Sequence, residues 1–139
     1  MKRFFLMTTL TMMLLSAGGC GGAHSSAPQP PAKGSYRHVS PEEAQKIMNT
    51  ETGYIILDVR TPKEYETGHI PRAICIPNET IDKTPPALLP DKQQLILVYC
   101  RSGQRSAAAA KKLADMGYTN AVDFGGLMDW HGELTTNEP

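Results

Sequence analysis

The sequence predicts an α/β fold built on a parallel sheet with helices on both faces. Three observations carry this. Residues 54–57, 73–76 and 95–99 are short continuous apolar runs, which suit strands buried on both faces. Helix-start signals fall between and before them. Ser40-Pro41-Glu42-Glu43 and Thr61-Pro62-Lys63-Glu64 each place a hydroxyl cap, a proline at the first helical position and a glutamate three residues after the cap. Finally, the run at 95–99 ends in Cys100 and is followed by a loop and an alanine-rich segment. Strands that alternate with helices in this way form a parallel sheet.

Taken in order, the ordered domain is predicted to begin near Tyr36. The first helix starts at Pro41, with Ala44, Ile47 and Met48 on one face. The strand at 54–57 leads into Asp58-Val59-Arg60. A short helix opens at Thr61 and stops at Gly68. The strand at 73–76 ends at Pro77, and Pro85, Pro86 and Pro90 bracket a loop with one helical turn. The strand at 95–99 is followed by a loop over 100–105 and a helix over 106–116, with Gly117 as its C-cap. A short strand at 121–124 follows. Gly125-Gly126 then turns the chain into a final helical segment carrying Trp130. There is no internal repeat.

Composition narrows the function. The 139 residues are 40% apolar and 20% charged, enough for one modest core. Fourteen basic residues balance fourteen acidic ones, so no electrostatic footprint for a nucleic acid is present. Three cysteines without a C-x-x-C pair exclude a disulfide framework and argue against structural zinc. No metal and no cofactor are predicted. Cys20, Cys75 and Cys100 each need a separate explanation.

The N-terminus has the layout of a secretory signal. Lys2 and Arg3 precede an apolar and threonine run over residues 4–15, then small residues 16–19, then Cys20. Twelve residues are too few to span a membrane, which takes roughly 20. Ala17-Gly18-Gly19-Cys20 resembles the lipobox of bacterial lipoproteins, whose cysteine receives a diacylglyceryl group. It departs from that pattern in having Ala17 where leucine is usual. Cleavage elsewhere, for instance after Ala23, gives a soluble periplasmic protein instead. The expected organisation is a signal peptide at 1–19, a lipidated Cys20 with a Gly/Ser/Pro tether to residue 35, a domain at 36–134 and a tail at 135–139. The tether would span on the order of 20 Å. The expected location is the periplasmic or cell-surface side of a bacterial membrane, anchored through Cys20. Loss of Lys2 and Arg3 leaves twelve basic against fourteen acidic residues, a net charge of −2.

The loop after Cys100 carries the chemistry. In open α/β sheets, sites form beyond the carboxyl ends of the strands. The loop runs into a helix N-terminus, where unpaired amides and the helix dipole favour an anion. Arg101 and Arg105 add positive charge, and Gly103 lets the loop curl its amides inward. A cysteine there is expected to titrate below its usual value of about 8.5. A buried, inert strand-end cysteine is the plainer reading, but it has no use for a Ser-Gly turn and two arginines. Cysteine phosphatases carry Cys-x5-Arg. Here Cys100 and Arg105 form Cys-x4-Arg, a smaller ring suited to a smaller group such as one extra sulfur atom.

Four segments together resemble a single-domain rhodanese, a sulfurtransferase. They are Leu57-Asp58-Val59-Arg60; the stretch from Glu64 through Gly68-His69-Ile70-Pro71 to Ile74; Val98-Tyr99-Cys100-Arg101-Ser102-Gly103-Gln104-Arg105-Ser106; and Gly125-Gly126 with Trp130. The resemblance covers residues 36–134. It implies a five-stranded parallel sheet and Cys100 as the nucleophile, which takes sulfur from an anionic donor such as thiosulfate and passes it from a persulfide to cyanide or a thiol. It implies that the loop of Arg101, Ser102, Gly103, Gln104 and Arg105 binds the persulfide. Arg101 and Arg105 are candidates for attracting the donor, with a surface charge or a loop-closing contact as the alternative for each. Asp58 is implied as an anchor for neighbouring backbone. Arg60 either reaches the pocket or pairs with an acid such as Glu66. His69 is implied to be structural. Cys75, mid-strand between Ile74 and Ile76, reads as a buried inert thiol and Trp130 as a core residue of the closing helix, while His38 and His131 sit in no motif. The expected partners are a small sulfur-containing anion and a thiol or cyanide acceptor, on a monomer that meets the membrane by its lipid anchor alone. Two other functions remain open: a persulfide carrier or sulfur-sensing module, and a phosphatase or arsenate reductase on the same fold.

Overall fold

The structure is a computed structural model that describes residue 32 and residues 34–137. The expected signal peptide, the expected lipidation site at Cys20 and most of the expected tether lie outside the described residues. Five strands form one sheet: β1 (Arg37–His38), β2 (Ile55–Asp58), β3 (Ile74–Cys75), β4 (Ile96–Cys100) and β5 (Ala121–Gly126). Their spatial order is β1-β5-β4-β2-β3, and every pairing is parallel. The helices are α1 (Pro41–Thr50), α2 (Pro62–Glu66) and α3 (Gln104–Asp115), with 3-10 turns at Asn78–Thr80 and Leu127–Asp129.

Two apolar layers explain the uninterrupted strand sequences. Leu57, Ile96, Val98 and Ala121 face Ala109, Ala110 and Leu113 of α3. The intervening Ile56, Leu97, Tyr99 and Val122 face Ala44 of α1 and Tyr65 of α2. Strand side chains alternate between faces, and both faces are covered, so the central strands are apolar at nearly every position, with the buried Asp58 and Asp123 as exceptions. The helix starts behave as their sequences predict. The Ser40 hydroxyl accepts from the Glu43 amide at 3.2 Å. Thr61 and Glu64 close a reciprocal capping box.

Several boundaries differ from the sequence expectation. Strand β1 has no signal in the sequence; its two exposed residues carry no apolar pattern and are held by pairing with β5. Strand β3 shrinks to two residues. The helical turn expected among the prolines lies earlier, at Asn78–Thr80, and the segment carrying Trp130 is a single 3-10 turn. Helix α3 starts at Gln104, not 106, so Gln104 and Arg105 belong to its first turn. Contacts also continue past residue 134. Thr135 exchanges both backbone hydrogen bonds with His69, at 2.8 and 2.9 Å.

Candidate active site

Cys100 is the last residue of β4 and is fully buried. The chain leaves it through Arg101 and Ser102 and reaches Gly103, the N-cap of α3, whose φ of +98° is left-handed. Glycine adopts that conformation without steric cost. The Gly103 amide consequently donates to Cys100 Sγ at 3.0 Å. The first bond of α3 runs from Ala107 N to the Gly103 carbonyl. The amides of Gln104, Arg105 and Ser106 therefore have no acceptor within the helix. Ser106 Oγ, also buried, lies 3.6 Å from Sγ. A cleft of about 490 Å³ adjoins the outer side of the loop, between Ser102–Gln104 and the side chains of His38 and Asp123.

The two loop arginines have different surroundings. Arg105 is clamped by Glu64, with Nη1 and Nη2 each 2.8 Å from a carboxylate oxygen. Glu64 raises the Arg105 guanidinium above its ordinary value against burial, with a smaller contribution from Cys100. Arg101 is exposed and takes part in none of the ion pairs of the described residues. Of the two, Arg101 carries the uncompensated charge, and Arg105 ties the loop to α2.

Beneath the loop, Asp58 is fully buried beside Arg60, which is 5% exposed. Asp58 accepts from Arg60 Nε at 3.0 Å, from Arg60 Nη2 at 2.6 Å and from the Tyr99 hydroxyl at 2.7 Å. Arg60 thus pairs with Asp58 and the Gly68 carbonyl (2.8 Å); Glu66 is not its partner. Burial and then the Asp58 charge push the Tyr99 hydroxyl up, so it stays a donor. His69 is buried and stacked on Tyr65, with ring centroids 3.6 Å apart. Its nitrogens face the carbonyls of Tyr65 (2.8 Å) and Asn137 (3.0 Å), which leaves neither directed at Cys100. Cys75 is half-buried, and burial, with Asp58 adding to it, pushes its thiol up to about 11. Both Cys75 and Cys100 are free thiols. Among the described residues no cluster of metal-ligating side chains occurs.

The family model for the rhodanese-like domain matches residues 40–133, from the cap of α1 past Trp130. The chain belongs to the rhodanese family. It is 38% identical over 73 residues to the thiosulfate sulfurtransferase PspE of Escherichia coli K12, covering 52% of this chain and 70% of that protein. It is 34% identical over 108 residues to the adenylyltransferase and sulfurtransferase UBA4 of Candida albicans. That match takes in 73% of this chain but only a quarter of the longer protein's length. Among solved structures, a rhodanese with anions from E. coli superposes with a TM-score of 0.55 at 35% identity, over 60% of this chain and 99% of that one. The relatives so named are sulfurtransferases.

Two residues beside this rhodanese loop, Glu64 of α2 and Ser106 of α3, are not marked out for the site by the sequence. The sequence marks Glu64 as a helix cap. The capping role is real, since Oε2 accepts from the Thr61 amide at 3.0 Å. Its second role needs α2 to lie beside α3, which spacing along the chain does not reveal. For Ser106 the sequence predicts only a place at the helix start, and no local signal turns its hydroxyl toward the sulfur.

The Glu64–Arg105 pair is about one-third exposed on each side, so its contribution to stability is small. Glu64→Ala is expected to cost about 1 kcal/mol, combining a lost cap and a screened ion pair. Arg105, and then the Thr61 amide, hold the Glu64 carboxyl well below the usual range. A depressed value stabilises the fold above the unfolded pKa of about 4.3 and is lost as pH falls below it. Urea melts of both proteins should therefore differ by a constant amount at neutral pH and converge in acid. A gap that widens on acidification would contradict the assignment.

Proposed function

We propose that this rhodanese is a sulfurtransferase in which Cys100 carries the transferred sulfur. The observation that carries the reading is the Gly103 amide, 3.0 Å from Sγ at the N-terminus of α3. The Cys100 thiolate attacks the outer sulfur of thiosulfate. The sulfur–sulfur bond of the donor breaks, and sulfite leaves with the bonding pair. Cyanide or a thiol then attacks the outer sulfur of the Cys100 persulfide, and the thiolate is regenerated. Two half-reactions of this kind give ping-pong kinetics. Amides at the first turn of α3 hold the negative charge that each half-reaction places on sulfur. Arg101 supplies the open positive charge for an anionic donor, and Arg105 fixes the loop through Glu64. No base is required, because neither leaving group needs a proton. Purified protein is expected to convert thiosulfate and cyanide into thiocyanate. Initial rates should give parallel double-reciprocal lines. Absence of thiocyanate under these conditions overturns the thiosulfate reading.

We further propose that the protein is exported and held at a membrane through Cys20. A run of twelve apolar or threonine residues followed by small residues and Cys20 supports export and lipidation. One acyl chain holds a protein to a membrane only marginally, whereas two hold it stably. A diacylglyceryl Cys20 meets that condition. Membrane fractions should retain the wild-type protein, and Cys20→Ala should appear in the soluble fraction. If both proteins fractionate alike, the anchor is not Cys20.

A further inference from the structure

Gly126 is not a glycine for the sake of its own backbone. Its φ of −137° is extended conformation, open to any residue. Space requires it. A Cβ there would lie 2.0 Å from the Arg101 carbonyl oxygen, 2.3 Å from its carbon and 2.6 Å from the Ser102 nitrogen. The peptide that leaves Cys100 thus rests directly on the Gly126 backbone. The Met128 amide donates to that same Arg101 carbonyl at 3.2 Å. One step further on, a Cβ on Gly103 would meet Gly125 Cα at 3.3 Å. The buried Ser106 hydroxyl spans the two strips of backbone, 3.0 Å from the Gly103 carbonyl and 3.1 Å from that of Gly125.

The supporting strip is itself shaped. Val98 pairs with Asp123 and Cys100 with Gly126, so β5 spends one residue more than β4 over the same step. That extra residue is a β-bulge, a device that re-aims a strand next to functional sites. Gly125 within it has φ +89°. Asp123 is 2% exposed. It accepts from the Gly125 amide at 3.1 Å through Oδ1, while Oδ2 lies 2.8 Å from His38 Nδ1.

We propose that the β5 bulge is the template on which the cysteine loop is formed, with Gly126 and Asp123 as positioning residues for sulfur transfer. The catalytic part of this inference rests on the sulfurtransferase reading above. Because a peptide is planar and trans, directing the Arg101 carbonyl at Met128 turns the Ser102 N–H away from the bulge. The chain then curls through Gly103, whose amide meets Sγ. A shift of the Arg101–Ser102 peptide displaces that amide, and misplacement by about 1 Å costs roughly 100-fold in rate.

The test uses the full-length protein and four variants. Gly126→Ala is expected to lower kcat about 100-fold and to move the Ser102 and Gly103 amide resonances in a nitrogen–proton NMR spectrum, with remote resonances unchanged. Gly53→Ala is the control. It sits at the opposite end of the sheet at φ +70°, with nothing within 4 Å of the added Cβ, and it should leave both readouts alone. Asp123→Ala should lower kcat in the same way. Asp123→Asn keeps an oxygen for the Gly125 amide and should recover kcat to within a few-fold. The Asp123 pair decides the matter if Gly126→Ala does not fold. Equal activity of Asp123→Ala and Asp123→Asn, or an unmoved Gly103 resonance in folded Gly126→Ala, overturns the template. If the wild type transfers no sulfur, the function fails, and the resonances still decide the template.

Discussion

Cys100→Ser is expected to reduce sulfur transfer to the uncatalysed level, a loss of at least ~10⁴-fold, while the protein stays folded. The change replaces one atom, and the site around it survives: the Gly103 amide now faces a hydroxyl. The hydroxyl is a far weaker nucleophile toward sulfur than a thiolate and forms no persulfide that can be discharged. Among the described residues two thiols compete for the role, and their surroundings separate them. Cys75 is half-buried on β3, donates to the Arg60 carbonyl at 3.6 Å and has its thiol pushed up to about 11 by burial. At neutral pH it stays protonated. Intact-mass measurement after exposure to thiosulfate should show a gain of one sulfur atom in the wild type and in Cys75→Ser, and none in Cys100→Ser. A gain that persists in Cys100→Ser would move the chemistry to another residue.

How much of this was legible in the sequence follows from which contacts are local. The caps at Ser40 and Thr61 and the glycine turn after Cys100 are set by residues within a few positions of one another and are found where their patterns place them; β2 and β4 lie within one residue of their apolar runs, while β3 keeps only two residues of its run. Strand β1 escaped because Arg37 and His38 are exposed and gain their conformation from β5, far along the chain. Helix α3 begins two residues before its sequence signal because Gly103, with no side-chain cap, leaves no cap signature. Charge was the least legible property. Arg101 and Arg105 look alike in the loop. Only the fold shows that Glu64, forty-one residues away, neutralises one of them. The sequence marks Gly125 and Gly126 as a turn; their contact with the cysteine loop is tertiary, with no spacing rule behind it.

Asp58→Ala should be the most damaging substitution outside the loop, with an expected loss of about 3–5 kcal/mol of stability. The reasoning rests on what the change leaves behind. Arg60 is 5% exposed. Burial works against its charge, and the hydrogen bonds and attraction of Asp58 more than offset that, holding the guanidinium above its ordinary value. Without Asp58, the cation keeps the Gly68 carbonyl as acceptor and has no counter-charge. The Tyr99 hydroxyl loses its acceptor as well, and the Arg60 amide loses its bond of 2.9 Å to Oδ1. A single domain is commonly stable by only about 5–15 kcal/mol, so a large share of the margin is removed. The double variant Asp58→Ala with Arg60→Met discriminates the cause. If the unpaired buried charge dominates, removing it should restore a substantial part of the loss, and the two substitutions should be strongly non-additive in a urea-denaturation cycle. Additive losses would mean that the pair contributes mainly through packing. The consequence for the site is direct: Tyr99 immediately precedes Cys100, and its hydroxyl also accepts from the Ile70 amide at 3.1 Å. The buried pair therefore fixes the end of β4, from which the cysteine loop departs.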